Sequence, residues 1–141
     1  MLLSLFALAM AAPQCAPQIV LPAGLTGWKR TAEGLDTRHA TALSARDGKV
    51  ETRVTIRKPG VFGIALDRDG WIDVAPARGK PLRMASENRG PRCSGIRKIV
   101  RFRLNAGDYR VTVSKLGAGQ ARLMLVRGAA RSRFARIGGS G

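Results

Sequence analysis

The chain has 141 residues, which is enough for one domain with a buried core and too few for two. It carries 25 lysine and arginine residues against 9 aspartate and glutamate residues, and its formal net charge is +16. A charge of this sign and size disfavours cationic partners and favours anionic ones, such as nucleic acid, phospholipid head groups or acidic polysaccharide.

The first twelve residues, MLLSLFALAMAA, are uncharged and almost wholly apolar. The run is too short to cross a bilayer as a helix. It is typical of the apolar region of a secretory signal peptide, with Ala9-Met10-Ala11 as the small-x-small cleavage site. We therefore predict a signal peptide over residues 1–11 and a periplasmic or secreted mature protein without a transmembrane segment.

Residues 12–44 are predicted to form a lead-in to the domain. The stretch PQCAPQIVLPAGLTGWKR is rich in proline and glycine and favours extended backbone, with Trp28 packed against the core. The stretch that follows, TAEGLDTRHATALSARDG, has no clear period. It is compatible with a short helix or with a loop and a strand.

Residues 45–127 alternate between apolar and polar with a period of two, which is typical of half-buried strands. In VETRVTIR the apolar residues are predicted to face inward and Arg53 and Arg57 outward, and in IVRFRL Arg101 and Arg103 outward. The turn signals DG and NAG each predict a hairpin between neighbouring strands. About six to eight short strands with regularly spaced turns predict an all-β fold, an antiparallel β-sandwich of the jelly-roll type.

The last residues, 128–141, lose this alternation and are rich in arginine and glycine. Such a composition gives little apolar surface to bury. We predict a flexible basic tail.

The stretch KIVRFRLNAGDYRVTVSKLGAGQARLMLV resembles the bacterial pre-peptidase C-terminal type of β-sandwich, in which a φxFxφ strand leads through an A/P-G-x-Y turn into a strand and a last hairpin. The chain is also similar to small exported bacterial proteins that carry GPxCxGIRK before that hairpin, here GPRCSGIRK at residues 90–98. The similarity covers roughly residues 45–127. It implies a β-sandwich with a noncatalytic accessory role, although members of the smaller group sometimes carry the name homogentisate 1,2-dioxygenase.

The residues do not favour that enzyme. A dioxygenase of this kind holds iron through two imidazoles and a carboxylate, and the chain has a single histidine, His39. Such a site cannot be assembled within one chain, and most zinc sites are excluded in the same way. There is no G-x-S-x-G motif, and a Ser-His-Asp triad would have to use His39. We predict a noncatalytic protein with no cofactor and no metal.

Two alternatives remain open at this point. One is an enzyme, either a metal-dependent oxygenase with a site built across an oligomer or an unusual hydrolase. The other is an intracellular nucleic-acid-binding protein, which requires that the first residues stay attached. Nucleic acid is the weaker choice, because few aromatic residues are available to stack on bases.

Four arginines are the candidate anion-binding residues. Arg97 starts the IVRFRL strand, Arg101 and Arg103 share its outward face, and Arg110 lies across the NAG hairpin. A stripe of guanidinium groups suits bidentate binding of phosphate or carboxylate. A solvated polar face, which every half-exposed sheet needs, gives the same pattern. The predicted partners are anionic envelope polymers or acidic proteins.

The chain contains two cysteines, Cys15 and Cys93. In an oxidising compartment two cysteines most simply form one disulfide, which here would join the lead-in to the GPRCSGIRK loop. The alternative is a reactive Cys93 thiolate favoured by Arg92 and Arg97.

Overall fold

A computed structural model describes Cys15 and residues 19–128 of the chain. Its eight strands are β1 Thr41–Ser44, β2 Val50–Ile56, β3 Gly60–Leu66, β4 Trp71–Pro76, β5 Ser86–Arg89, β6 Lys98–Leu104, β7 Gly107–Ser114 and β8 Gln120–Arg127. Sheet I has the order β1-β8-β3-β6-β5 and sheet II the order β2-β7-β4, and all pairs are antiparallel. The predicted antiparallel β-sandwich is confirmed. The predicted signal peptide, and the predicted tail apart from Gly128, lie outside the described residues.

The inner faces of the two sheets form the main core, and the alternation along β2 shows why. Val50, Val54 and Ile56 are buried, while Arg53 and Arg57 are exposed, as the period of two predicts. The apolar side chains of β6 and β7 that point inward pack into the same cluster. Burying this alternating apolar set holds the two sheets together.

The two predicted hairpins are wrong. β3 and β4, joined through Asp69-Gly70, lie in different sheets, and so do β6 and β7, joined through Asn105-Ala106. Among the described strands only β5 and β6 are both consecutive and paired. A turn signal shows where the chain reverses. It does not show whether the next strand pairs with the previous one or crosses to the facing sheet, as in Greek-key connections.

The described first half of the lead-in, residues 19–30, forms a third layer over the outer face of sheet I. The 3-10 turn Thr26–Lys29 places Trp28, which is buried as predicted. This layer and the sheet beneath it form a second apolar cluster, whose members include Leu21, Leu25, Trp28, Ala65, Ile99 and Met124. The central strands β3 and β6 are therefore buried on both faces.

The second half of the lead-in is a loop followed by a strand. β1 pairs with β8 at the edge of sheet I, with Thr41 opposite Leu123. Within the described residues, no helix has the length and apolar character needed to cross a membrane.

The predicted disulfide between Cys15 and Cys93 is present, and their Cα atoms are 5.4 Å apart. Cys93 sits at the third position of a turn in which the Ser94 amide donates to the Pro91 carbonyl, 3.1 Å away. Its φ of 65° is in the left-handed region, where glycine is usual. Gly90 is needed for a different reason, since a Cβ there would lie 2.2 Å from the Ile96 carbonyl oxygen. The GPRCSGIRK loop is thus a folded anchor for the lead-in.

Candidate anion-binding surface

The four arginines predicted to form one stripe lie in different environments. Arg97 is exposed and its Nε donates to Asp69 Oδ1 at 2.9 Å, so its guanidinium group already forms an ion pair. Arg103 is exposed on sheet I. Arg110 belongs to sheet II, because the chain crosses between the sheets after β6. The structure therefore does not bring the four guanidinium groups together.

Arg101 lies on the outer face of β6, as predicted, but it is not exposed to solvent there. The residue is only 8% exposed, and it lines a cleft together with Pro22, Ala23 and Leu25 of the third layer. Its Nε donates to the Gly128 carbonyl at 3.2 Å and its Nη1 donates to Asn88 Oδ1, also at 3.2 Å. Burial lowers the pKa of this guanidinium. Arg101 is a structural residue that ties β5 and the end of β8 to β6.

A different set of cations does come together, around the strand β2. Two adjoining clefts of about 480 Å³ each share Arg53, Val54 and Thr55 in their walls. Six basic side chains line the pair of clefts, and we call them the β2 cation surface: Arg53, Arg57, Lys58, Arg78, Arg110 and Arg127.

Most of the β2 cation surface has no acidic partner. Arg110 Nε lies 3.8 Å from Glu51 Oε1, at the long limit of an ion pair. The other five cations form no salt bridge with any residue that the structure describes. Arg53 and Arg110 are also register partners on adjacent strands, an arrangement of like charges that destabilises a sheet. The surface thus carries positive charge that an anion would stabilise.

Two carboxylates line the same clefts, and other groups engage both of them. Asp36 accepts hydrogen bonds from the Arg38 amide at 2.9 Å and from the Arg38 guanidinium at 3.2 and 3.1 Å. These bonds lower the pKa of Asp36 to about 2, with the side-chain bond contributing most. Asp108 accepts the Thr55 hydroxyl at 2.6 Å. Neither carboxylate pairs with a member of the β2 cation surface.

The Asp36–Arg38 contact makes the stability of the fold depend on pH in acid. A carboxyl whose pKa falls to about 2 on folding stabilises the native state above the unfolded value of 3.8, and this contribution is lost as the pH falls through 2. We expect Asp36→Asn to remove that part of the acid dependence, which urea unfolding between pH 5 and pH 2 measures. Asp47→Asn is the control, because Asp47 makes no side-chain contact of this kind with any described residue. An unchanged acid profile in Asp36→Asn would contradict this assignment.

The sequence pattern located only part of the β2 cation surface. Alternation along β2 identified Arg53 and Arg57 as outward residues, and Arg110 was among the predicted candidates. Lys58, Arg78 and Arg127 were missed, because they come from a turn, a loop and the end of β8. Arg127 has a further contact, with its guanidinium carbon 5.7 Å from the centre of the Phe62 ring. No local motif marks residues that meet only after the sheets pack.

The remaining candidates for chemistry are His39 and possible metal ligands. The His39 ring Nε2 lies 3.0 Å from both the Glu33 and the Gly34 carbonyl oxygens, so it acts as a donor that closes the 33–39 loop. Across Cys15 and residues 19–128, no three metal-ligating side chains gather at one point. Protein-family models gave no match to the chain, and neither did a search of curated proteins.

Proposed function

We propose that this protein is an exported, noncatalytic binding module that holds anionic polymers on the β2 cation surface. The observation that carries this proposal is the convergence of six basic side chains on two adjoining clefts, five of them without an acidic partner among the described residues.

The chemistry of the surface favours phosphate, sulfate or carboxylate groups. Five of its six cations are arginines, whose planar guanidinium groups bind such anions through two parallel hydrogen bonds. Because the two clefts adjoin along β2, successive anionic groups of one polymer can contact both. A polymer also gains from several weak contacts at once, which suits an exposed surface where a single ion pair contributes little.

Export is supported by two features at the start of the chain. The apolar run MLLSLFALAMAA is typical of a secretory signal. The disulfide at Cys15 favours an oxidising compartment. An anionic polymer of the cell envelope or the extracellular space is therefore the partner we propose, rather than an intracellular nucleic acid.

Retention on immobilised linear polyphosphate tests the proposal. We expect the triple variant Arg53→Ser, Arg57→Ser, Arg127→Ser to bind at least about tenfold more weakly. Its binding should also depend less on salt, because fewer phosphate contacts release fewer counterions. The matched control replaces three exposed arginines outside both clefts, Arg46, Arg83 and Arg92, and loses the same charge. If both variants lose retention equally, net charge explains the binding and the β2 cation surface does not.

A further inference from the structure

Trp71 is the one exposed aromatic side chain in the described part of the chain, with 54% of its surface accessible. Its position is fixed rather than free, since the indole Nε1 donates to Asp73 Oδ1 at 3.1 Å. Lys115 Nζ lies 5.7 Å from the ring centre. A cation–π contact at an exposed site is weak, so a ligand can displace Lys115 from the ring.

Trp71 shares one sheet face with part of the β2 cation surface. The outer face of sheet II presents its side chains in rows across the strands. Trp71 lies opposite Ser114 in the first row, and Arg53 lies opposite Arg110 in the third. Rows on one face are two residues apart, so the indole and the arginine pair are separated by about 13 Å along the strands.

The row between them is acidic. Thr112 is the register partner of Glu51 on one side and of Asp73 on the other. A polymer that runs from Trp71 to the arginines passes over these two carboxylates, of which Asp73 accepts the indole N–H and Glu51 lies 3.8 Å from Arg110. A phosphate or carboxylate placed there is repelled, whereas a hydroxyl group donates a hydrogen bond to a carboxylate.

We propose that the bound polymer is an acidic glycan in which charged and uncharged sugars alternate, a claim that rests on the proposed function and specifies its ligand. A charged sugar stacks through its apolar face on the Trp71 indole, and the hydroxyl groups of the next, uncharged sugar meet Glu51 and Asp73. The acid group of the charged sugar after it binds Arg53 and Arg110. An aromatic ring suits the apolar face of a sugar as it suits any flat apolar group.

The same pattern disfavours a single-stranded nucleic acid. Its backbone carries a charge at every residue, one of which would fall on the acidic row. Such strands also use several aromatic side chains on which successive bases stack, and this face presents one.

Calorimetric titration of the full chain tests the inference with four probes at one ionic strength. The probes are a hyaluronan oligosaccharide, in which acidic and neutral sugars alternate, an oligogalacturonate with a charge on every sugar, an oligothymidylate, and linear polyphosphate. We expect hyaluronan to bind more tightly than oligogalacturonate or oligothymidylate. Trp71→Ala should weaken hyaluronan binding about tenfold, and Trp71→Phe should retain most of it.

Two controls separate this inference from the proposed function. Met84→Ala removes an exposed apolar side chain, 48% accessible, that lines neither cleft, and should change no affinity. Trp71→Ala should leave polyphosphate binding unchanged, because that binding depends on the cations alone. Tryptophan fluorescence gives a second readout, since Trp28 is buried and a change on adding hyaluronan that is lost in Trp71→Ala reports the exposed ring.

The outcomes are distinct. Equal affinity of wild type and Trp71→Ala for hyaluronan overturns the glycan inference and leaves the polyanion proposal in place. Tighter binding of oligothymidylate or oligogalacturonate than of hyaluronan overturns the alternating glycan. If no arginine variant loses polyphosphate binding, the proposed function itself is overturned.

Discussion

Removing the disulfide with Cys15→Ser and Cys93→Ser is expected to lower the free energy of unfolding by about 4 kcal/mol, because the bond joins residues 78 apart in the chain. Closing so long a loop restricts the unfolded chain strongly. The bond also attaches the lead-in to the GPRCSGIRK loop, and Leu21, Leu25 and Trp28 of the lead-in cover the outer face of sheet I. Urea unfolding of the oxidised wild type and the double variant measures the difference.

A matched pair of variants separates the bond from the backbone strain at Cys93. Cys15→Ser with Cys93→Gly lacks the same bond but places glycine at the left-handed position, where φ is 65°. We expect it to be about 1 kcal/mol more stable than Cys15→Ser with Cys93→Ser. Unfolding curves of wild type that do not change on reduction would contradict a stabilising role for the bond.

Arg101→Ser is expected to lower the free energy of unfolding by about 1–2 kcal/mol, because it removes two hydrogen bonds that the buried guanidinium donates, to the Gly128 carbonyl and to Asn88 Oδ1. The packing of the buried arginine stem is lost as well. Thermal and urea unfolding measure the effect, and polyphosphate retention of the folded fraction should not change.

Arg103→Ser is the control for this prediction. It removes the same charge from the same face of β6, two residues away, but Arg103 is exposed and has no hydrogen bond or ion pair with a described residue. We expect a change within about 0.5 kcal/mol. If Arg101→Ser is as stable as Arg103→Ser and instead loses polyphosphate binding, Arg101 is a binding residue and its structural assignment is wrong.

The contrast between Arg101 and Arg103 also shows what alternation can predict. A period of two assigns residues to the faces of a strand, and Val100, Phe102 and Leu104 do lie on the inner face. It does not reveal whether the opposite face meets solvent. That depends on the lead-in, which is distant in sequence and reaches β6 only in the folded chain.

The sequence also does not predict which strands pair. The signals at Asp69-Gly70 and Asn105-Ala106 located two chain reversals correctly but not their partners. In a sandwich, crossing between sheets buries an alternating strand as well as a hairpin does, so local sequence does not distinguish them. The arginine candidates followed the hairpin prediction, and this is why Arg110 was grouped with the wrong strand.

The disulfide is predictable from the sequence because the prediction does not depend on how the strands are arranged. Two cysteines and an export-like N-terminus left one intramolecular pair. The β2 cation surface required three strands and two connecting segments to come together, and only its members on β2 and β7 lie on strands where alternation predicts the exposed face.

Protection of arginines from phenylglyoxal by linear polyphosphate tests whether the β2 cation surface binds the polymer, because the measurement uses the unaltered protein and maps every modified arginine by mass spectrometry. We expect slower modification in the presence of polyphosphate at the arginines of the β2 cation surface: Arg53, Arg57, Arg78, Arg110 and Arg127. Arg46, Arg83 and Arg92 should react at the same rate with and without the polymer. Protection confined to Arg97 and Arg103, or to Arg131, Arg133 and Arg136 near the end of the chain, would contradict it.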